Sequence, residues 1–452
     1  MTEYKKVFFI GIGGIGMSGL ARYLHSTGVC VLGYDRTQTE LTAQMESEGM
    51  LIQYDTNTDS LPDDIELVVY TPAVLQENPI CKWFVSQSVP MVKRAKLLSQ
   101  IAEQYQVIAV AGTHGKTSTS AAITHILAHA NQKILAFVGG IMKNYNSNYV
   151  LSKNPIFCVV EADEYDHSFL QLFPDIAVIT SIDADHLDIY NNYDSLKNAF
   201  QQFASQSKQG ALLILHENIR NNIHVDNRNT IVYGKSAHSD VQISTVRQTS
   251  EGCFVDVRYR EQVIREVFIP VCGLHNLENM IAAMIVAVET GMQIENFREV
   301  VASFAGVKRR FDIRVNLPHF VYIDDYAHHP KEIDACIAGV RECFTNRKIT
   351  GVFQPHLYTR TRDFAVDFAK SLEKLDRVIL TDIYPAREEP IQGIDAIFLF
   401  DKIEHKHKIF VPKNELIKYI ESLDNIELLL TMGAGDIDAL VPQFEQLFKS
   451  KN

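Results

Sequence analysis

"IAVAGTHGKTS", Ile108 to Ser118, is the stretch on which the reading of this chain turns. The apolar run "VIAVAG" has the continuous hydrophobicity of a buried parallel strand. A glycine-rich turn follows, and a helical pattern starts near Lys116. Backbone N–H groups in such a turn, with the positive end of the helix, cradle phosphate oxygens. Lys116 reaches the β- and γ-phosphates from there, and the Thr117 hydroxyl is placed for Mg²⁺. The match to G-x-x-x-x-G-K-[ST] is incomplete, since Val110 stands where the first glycine belongs and Gly112 comes two residues later. An ordinary strand-to-helix turn is the alternative, but a G-K-T between such a strand and such a helix is uncommon. The stretch implies an α/β sheet carrying an ATP site.

Downstream, "VVEADEYD" brings Glu161, Asp163, Glu164 and Asp166 to one strand end, and "TSIDADHLD" brings Asp183, Asp185, His186 and Asp188 to another. Ligands of open parallel sheets sit at the carboxyl ends of strands. A carboxylate and an imidazole there suit a divalent cation held together with phosphate. Either cluster alone reads as a helix cap or a solvated turn; beside a phosphate loop, a metal role is the stronger reading. From about Gly210 to Val271 the runs become shorter and alternating, as in "CFVDVRYR", which predicts an antiparallel elaboration. A long helix, "NLENMIAAMIVAVETG", follows, and a third unit starts near Pro318 with "FVYIDDYAHHP".

Upstream, "FFIGIGGIGMSGLARYL", Phe8 to Leu24, sets Gly11, Gly13 and Gly16 in a G-x-G-x-x-G pattern, and Asp35 closes the next apolar run. Alone, this would suggest an NAD-dependent dehydrogenase, whose ribose-binding acid stands at that place. That reading accounts for nothing after Gly112. The strand-like runs alternate with helical patterns throughout, so the fold class is α/β with three domains in series. These are a Rossmann-like domain (1–100), a P-loop domain with a mostly parallel sheet and the antiparallel elaboration (101–315), and a second Rossmann-like domain (316–452). The connections Gln100–Gln106 and Arg314–Pro318 are the expected hinges.

Composition narrows the partners. A net charge of -12 with no basic block weighs against nucleic acid. No apolar run approaches the roughly 18 residues of a membrane span, and "MTEYKK" runs into the first strand without a signal-peptide pattern. Seven cysteines, an odd number with no C-x-x-C pair, argue against a full disulfide framework and for the cytoplasm.

The succession "GIGGIGMSG", "AGTHGKTS", "EADEYDHSF", "SIDADHLDIY", "GLHNLENMIAA", "GVKRRFD", "DDYAHHPKE", "FQPHLYTRTRDF" and "DIYPAREEPIQG" resembles the Mur ligase family along essentially the whole chain, most closely its alanine-adding members. The short "GTHGKT" loop with Val110 is the form these ligases carry. The resemblance implies that ATP phosphorylates the carboxylate of UDP-N-acetylmuramate and that the amine of L-alanine attacks the acyl phosphate, in peptidoglycan precursor synthesis. The first glycine loop would then hold the diphosphate of the UDP-sugar through Gly11, Gly13, Gly14, Ile15 and Gly16, with Asp35 near the uridine and Thr71 lining the site.

By the same resemblance, Gly112, Thr113, His114, Gly115, Lys116, Thr117 and Ser118 hold the ATP phosphates. His275, Asn276 and Asn279 lie on the adenine side, and Arg310 and Asp325 contact phosphate and ribose. Thr117 and Glu161 hold magnesium, and His186 ligates a second ion, although imidazole is an unusual ligand for a hard cation. His328 and Arg360 stand near the incoming amino acid, whose carboxylate a guanidinium can bind bidentately.

Two positions depart from the family pattern. Leu357 stands where some members carry an arginine, and Lys197 is out of register for the modified lysine of some sister ligases. Three alternatives stay open: a recycling ligase that attaches a whole tripeptide to the same UDP-sugar, the dehydrogenase, and a non-catalytic nucleotide-gated binding protein. A monomer or a homodimer is expected.

Overall fold

The computed structural model describes residues 4–71, 77–184, 187–190, 192–225, 229–386 and 388–449. Three sheets organise them. The first comprises β1 (Lys6–Ile10), β2 (Cys30–Tyr34), β3 (Leu51–Gln53), β4 (Leu67–Tyr70) and β5 (Met91–Lys93), parallel throughout in the order β3-β2-β1-β4-β5. Both faces of β1 are covered: Val7 and Phe9 enter one apolar cluster, Phe8 and Ile10 another. That is why the strand reads as a continuous apolar run rather than an alternating one. The strand order reverses between β1 and β4, so the turn after β1 opens at the crevice where such sheets take ligands.

The second sheet comprises β6 (Gln106–Ala111), β7 (Ile134–Met142), β8 (Ser147–Leu151), β9 (Phe157–Glu161), β10 (Ile176–Ile179), β11 (Leu212–His216), β12 (Asn229–Gly234), β13 (Val241–Thr249), β14 (Gly252–Tyr259) and β15 (Gln262–Ile269). Their order is β15-β14-β13-β12-β11-β10-β6-β9-β7-β8, with β6 parallel to both neighbours. The antiparallel elaboration starts later than the expected Gly210. Strands β11 and β12 continue the parallel ladder, and only β13, β14 and β15 form a meander through two-residue turns. All five residues of β11 are buried, so that strand belongs with the continuous runs. At the far edge β8 pairs antiparallel with β7, a hairpin the sequence reading did not separate.

The third sheet comprises β16 (Asp312–Asn316), β17 (Val321–Asp325), β18 (Ile349–Phe353), β19 (Arg377–Leu380), β20 (Lys408–Phe410) and β21 (Leu428–Met432), in the order β16-β17-β21-β18-β19-β20. It is parallel except for β16, which pairs antiparallel with β17.

The chain divides into two compact units: Met1–Ser244 with Asp256–Arg265 and Glu278–Ala305, and Thr245–Val255 with Glu266–Leu277 and Gly306–Asn452. Within the first unit, the first two sheets share one apolar cluster. Tyr23 of the helix Ile15–Ser26 meets Phe137 of β7 and Tyr149 of β8 edge-on. Asn148 Nδ2 donates to Ile15 O at 2.5 Å and to Ser18 Oγ at 2.9 Å.

The two segments expected as hinges are placed as follows. Within Gln100–Gln106, Ile101 and Ala102 are buried in the shared core and Tyr105 Oη hydrogen-bonds Tyr23 Oη at 3.2 Å, while Gln100, Glu103, Gln104 and Gln106 are exposed. Arg314–Pro318 lies in the β16–β17 hairpin, closed by Leu317 N–H donating to Phe320 O at 2.8 Å. Among the described residues no helix is long and apolar enough to cross a membrane.

Candidate nucleotide and substrate site

The turn after β6 has the geometry that the sequence reading expects of a phosphate loop. The helix Lys116–His129 starts from Gly115, whose φ of +83° suits glycine. A Cβ at Gly115 would also stand 2.6 Å from Asn279 Oδ1, so this loop and the helix Leu274–Glu289 approach closely. The loop is pinned to the end of β10. Thr113 N–H donates to Ser181 O (3.1 Å) and His114 N–H to Ser181 Oγ (3.0 Å). Thr180 Oγ1–H donates to His114 O (2.5 Å), and Asp183 N–H to Thr113 Oγ1 (2.9 Å). The His114 ring lies 3.6 Å from the Asp183 carboxylate. The structure thus brings Gly112 through Ser118 together with Asn279; the pinning by Thr180 and Ser181 carried no motif and was missed.

Lys116 Nζ donates to Glu164 Oε2 (2.7 Å) and Oε1 (3.0 Å) and to Gly112 O (2.8 Å). The Glu164 side chain has no solvent exposure. Burial pushes its carboxyl up to about 7 against the pull of the lysine. Burial works to lower the Lys116 pKa, but the carboxylates of Glu164, Asp163 and Glu161 outweigh it and hold the ammonium above its ordinary range. The sequence placed Glu164 in an acidic cluster without giving it this role.

Two of the three expected metal ligands flank the loop. Thr117 is buried in the first turn of the helix. Glu161 ends β9 opposite Val110 of β6, and a Cβ at Gly139 would fall 2.0 Å from its Oε2. Both offer oxygen, the donor a hard divalent cation prefers. His186 lies outside the described residues.

At the carboxyl edge of the first sheet stand the glycine loop (Gly11, Gly13, Gly14, Ile15 and Gly16), Asp35 after β2 and Thr71 after β4. Gly11 N–H and Ile12 N–H donate to Tyr34 O (2.7 and 3.0 Å), and Gly13 N–H donates to Asp35 Oδ2 (2.8 Å). Asp35 is therefore engaged with the loop itself. Gly14 caps the helix without a side-chain bond, and no acid occupies the first turn, which leaves its positive end available to an anion.

Two residues without any motif, Lys93 and Arg94, reach the acidic segment after β9, and Arg94 also lies against the glycine loop. A Cβ at Gly16 would stand 2.9 Å from an Arg94 guanidinium nitrogen. Arg94 reaches Asp163 at 3.7 Å, and Lys93 donates to Asp166 at 2.8 Å.

Within the second unit, Asp325 accepts from Phe311 N–H (2.6 Å) and Ala327 N–H (2.7 Å), and burial raises its carboxyl to about 6. The Arg310 guanidinium lies 4.8 Å from the Tyr326 ring centre. His328 Nδ1 is 3.1 Å from both Tyr326 O and Glu332 Oε2, and its ring meets His356 edge-on at 6.0 Å. His356 stacks on Tyr384 at 5.8 Å. Arg360 follows in the helix Tyr358–Asp363, half-buried, and Leu357 caps that helix with a φ of +69°, a costly conformation for a branched side chain. His328, His356, Tyr384 and Arg360 all follow the carboxyl ends of strands in this sheet. His275 and Asn276 open the helix Leu274–Glu289, and Asn276 Nδ2 donates to Cys272 O at 2.8 Å.

A glycine-rich strand-to-helix turn on a mixed sheet, with a second glycine loop on a sheet sharing its core, has the build of a nucleotide-using α/β fold of three sheets. The sequence profile described as the Mur ligase family catalytic domain matches residues 6–106, that of the Mur ligase middle domain matches 110–287, and that of the Mur ligase glutamate ligase domain matches 309–435. The chain belongs to the Mur ligase family.

Among its relatives is a UDP-N-acetylmuramate–L-alanine ligase of Flavobacterium psychrophilum, 42% identical over 100% of both chains. That of Christiangramia forsetii is 42% identical over 97% of this chain and 96% of its own. The solved UDP-N-acetylmuramate-alanine ligase of Thermotoga maritima superposes with a TM-score of 0.85 at 29% identity, covering 99% of this chain and 100% of that one. A murein peptide ligase of Psychrobacter arcticus shares the fold at a TM-score of 0.72 and 20% identity, covering 98% of each chain.

Proposed function

We propose that the protein is an ATP-dependent amide ligase of the cytoplasm. It joins L-alanine to the carboxylate of UDP-N-acetylmuramate through an acyl phosphate, in peptidoglycan precursor synthesis. The observation that carries this reading is the 42% identity, over the whole of both chains, to the ligase of that name from Flavobacterium psychrophilum. An intact phosphate loop supports it. The tripeptide-attaching alternative is weaker, since the murein peptide ligase shares the fold at only 20% identity. A dehydrogenase leaves the loop after β6 without a purpose.

In this reading the three domains (1–100, 101–315 and 316–452) divide the work. The first glycine loop, from Gly11 to Gly16, holds the diphosphate, with Asp35 and Thr71 toward the uridine. Lys116 neutralises charge on the transferring γ-phosphate. Asn279, with His275 and Asn276 a turn earlier on the same helix, takes the adenine side; Arg310 and Asp325 take phosphate and ribose. Thr117 and Glu161 would hold Mg²⁺ and His186 a second ion, which when bound would screen charge around the phosphates. His328 and Arg360 orient alanine through its amine and carboxylate.

The test is phosphate release from ATP with UDP-N-acetylmuramate, comparing L-alanine with the tripeptide, with and without NAD. Release that depends on L-alanine and ignores NAD is expected. Preference for the tripeptide, or reduction of NAD, would overturn the assignment.

A further inference from the structure

The ammonium of Lys116 meets an anion of its own chain, the Glu164 carboxylate. Its three N–H groups are met by Glu164 Oε2 (2.7 Å), Glu164 Oε1 (3.0 Å) and Gly112 O (2.8 Å). A phosphate oxygen that takes one of these donors must take it from a present partner. Glu164 cannot retreat into water, because its side chain is wholly buried. Its segment is also held in shape: Tyr190 Oη–H donates to Glu164 O at 2.5 Å, and Asp166 and His167 follow with left-handed φ of +54° and +53°.

We propose that Glu164 is a positioning residue that holds the Lys116 donors a γ-phosphate would take. It holds the Lys116 ammonium in register and competes with bound ATP for it. This inference rests on reading the turn after β6 as a phosphate loop. A carboxylate fixed within a few ångströms of the triphosphate repels it, and at the effective dielectric of a protein site that repulsion exceeds a tenfold change in affinity. Glu164 therefore weakens ground-state binding of ATP while keeping the lysine aligned for transfer, when charge on the phosphoryl group is redistributed. Binding that is tight only in the ground state adds nothing to kcat.

The experiment compares the full-length wild type with Glu164→Gln by calorimetry, using ATP and ADP in EDTA, and then by steady-state kinetics with Mg²⁺. The variant should bind ATP at least about tenfold more tightly, gain less with ADP, and show KM for ATP and kcat falling together. A merely structural role cannot tighten binding. Equal or weaker ATP binding by a folded variant would overturn the proposal. So would a loss of affinity confined to Mg²⁺-containing samples, which would make Glu164 a metal ligand.

A second measurement needs only the wild type, labelled with ¹⁵N at its lysine Nζ atoms. The slowly exchanging Lys116 ammonium signal should shift when ATP is added in EDTA, and an unmoved signal at saturating ATP would overturn the proposal. A wild type that bound no ATP at all would instead remove the phosphate-loop reading on which the proposal stands.

Discussion

Lys116 and the glycine loop after β1 belong to different sheets, so their roles separate by mutation. Lys116→Ala should lower turnover by at least about 10²–10³-fold, the usual cost of one transition-state charge contact. UDP-N-acetylmuramate affinity should stay nearly unchanged, which calorimetry on the same variant checks.

His125 gives a second prediction at this scale. It is buried on the helix Lys116–His129, with Nε2 against Val300 O at 3.2 Å and its ring 4.0 Å from that of His129. Burial first, and His129 second, lower its pKa from 6.5 to about 4. A depressed pKa means the proton prefers the unfolded chain. The contribution is therefore whole above pH 6.5 and is lost as pH falls toward 4, on the order of 3 kcal/mol in all. His125→Gln, which keeps a donor toward Val300, should flatten the melting temperature between those limits. Parallel pH curves for the two proteins would contradict this assignment.

At the scale of elements, the hairpin of β7 and β8 fixes the helix that starts at the first glycine loop. Asn148 makes two hydrogen bonds to that helix, at Ile15 and Ser18. Asn148→Ala should cost about 1–3 kcal/mol in denaturant unfolding, because Ile15 O and Ser18 lose buried partners. It should also weaken UDP-sugar binding more than ATP binding.

This hairpin was not legible in the sequence, whereas β1, β6 and β9 were. Those three are covered on both faces and read as continuous apolar runs, while β8, with Tyr149 and Val150 partly buried and Leu151 exposed, shows no such signal. Strands β11 and β12 were misassigned for the converse reason: they precede the meander of β13, β14 and β15, and the five buried residues of β11 were read with that stretch. The two glycine loops were readable because backbone geometry demands glycine at fixed spacing. The pairs Lys116–Glu164, 48 residues apart, and Arg94–Asp163 were not, since no local rule links residues that meet only after the sheet has formed.

Across the whole molecule, the sheet carrying the proposed UDP-sugar site and the sheet carrying the phosphate loop share one core, with Arg94 spanning from Gly16 to Asp163. Arg94→Ala should therefore raise KM for the UDP-sugar and lower kcat, while ATP affinity measured without the sugar changes little. An equal loss of ATP affinity would place Arg94 in the nucleotide site instead. The central claim is that ATP activates the sugar's own carboxylate. It is tested most directly with UDP-N-acetylmuramate labelled with ¹⁸O in that carboxylate, turned over with ATP and L-alanine, and mass spectrometry of the released phosphate. One ¹⁸O atom in each inorganic phosphate, with the other kept in the new amide, is the predicted result; unlabelled phosphate, or label appearing in AMP, would contradict the account.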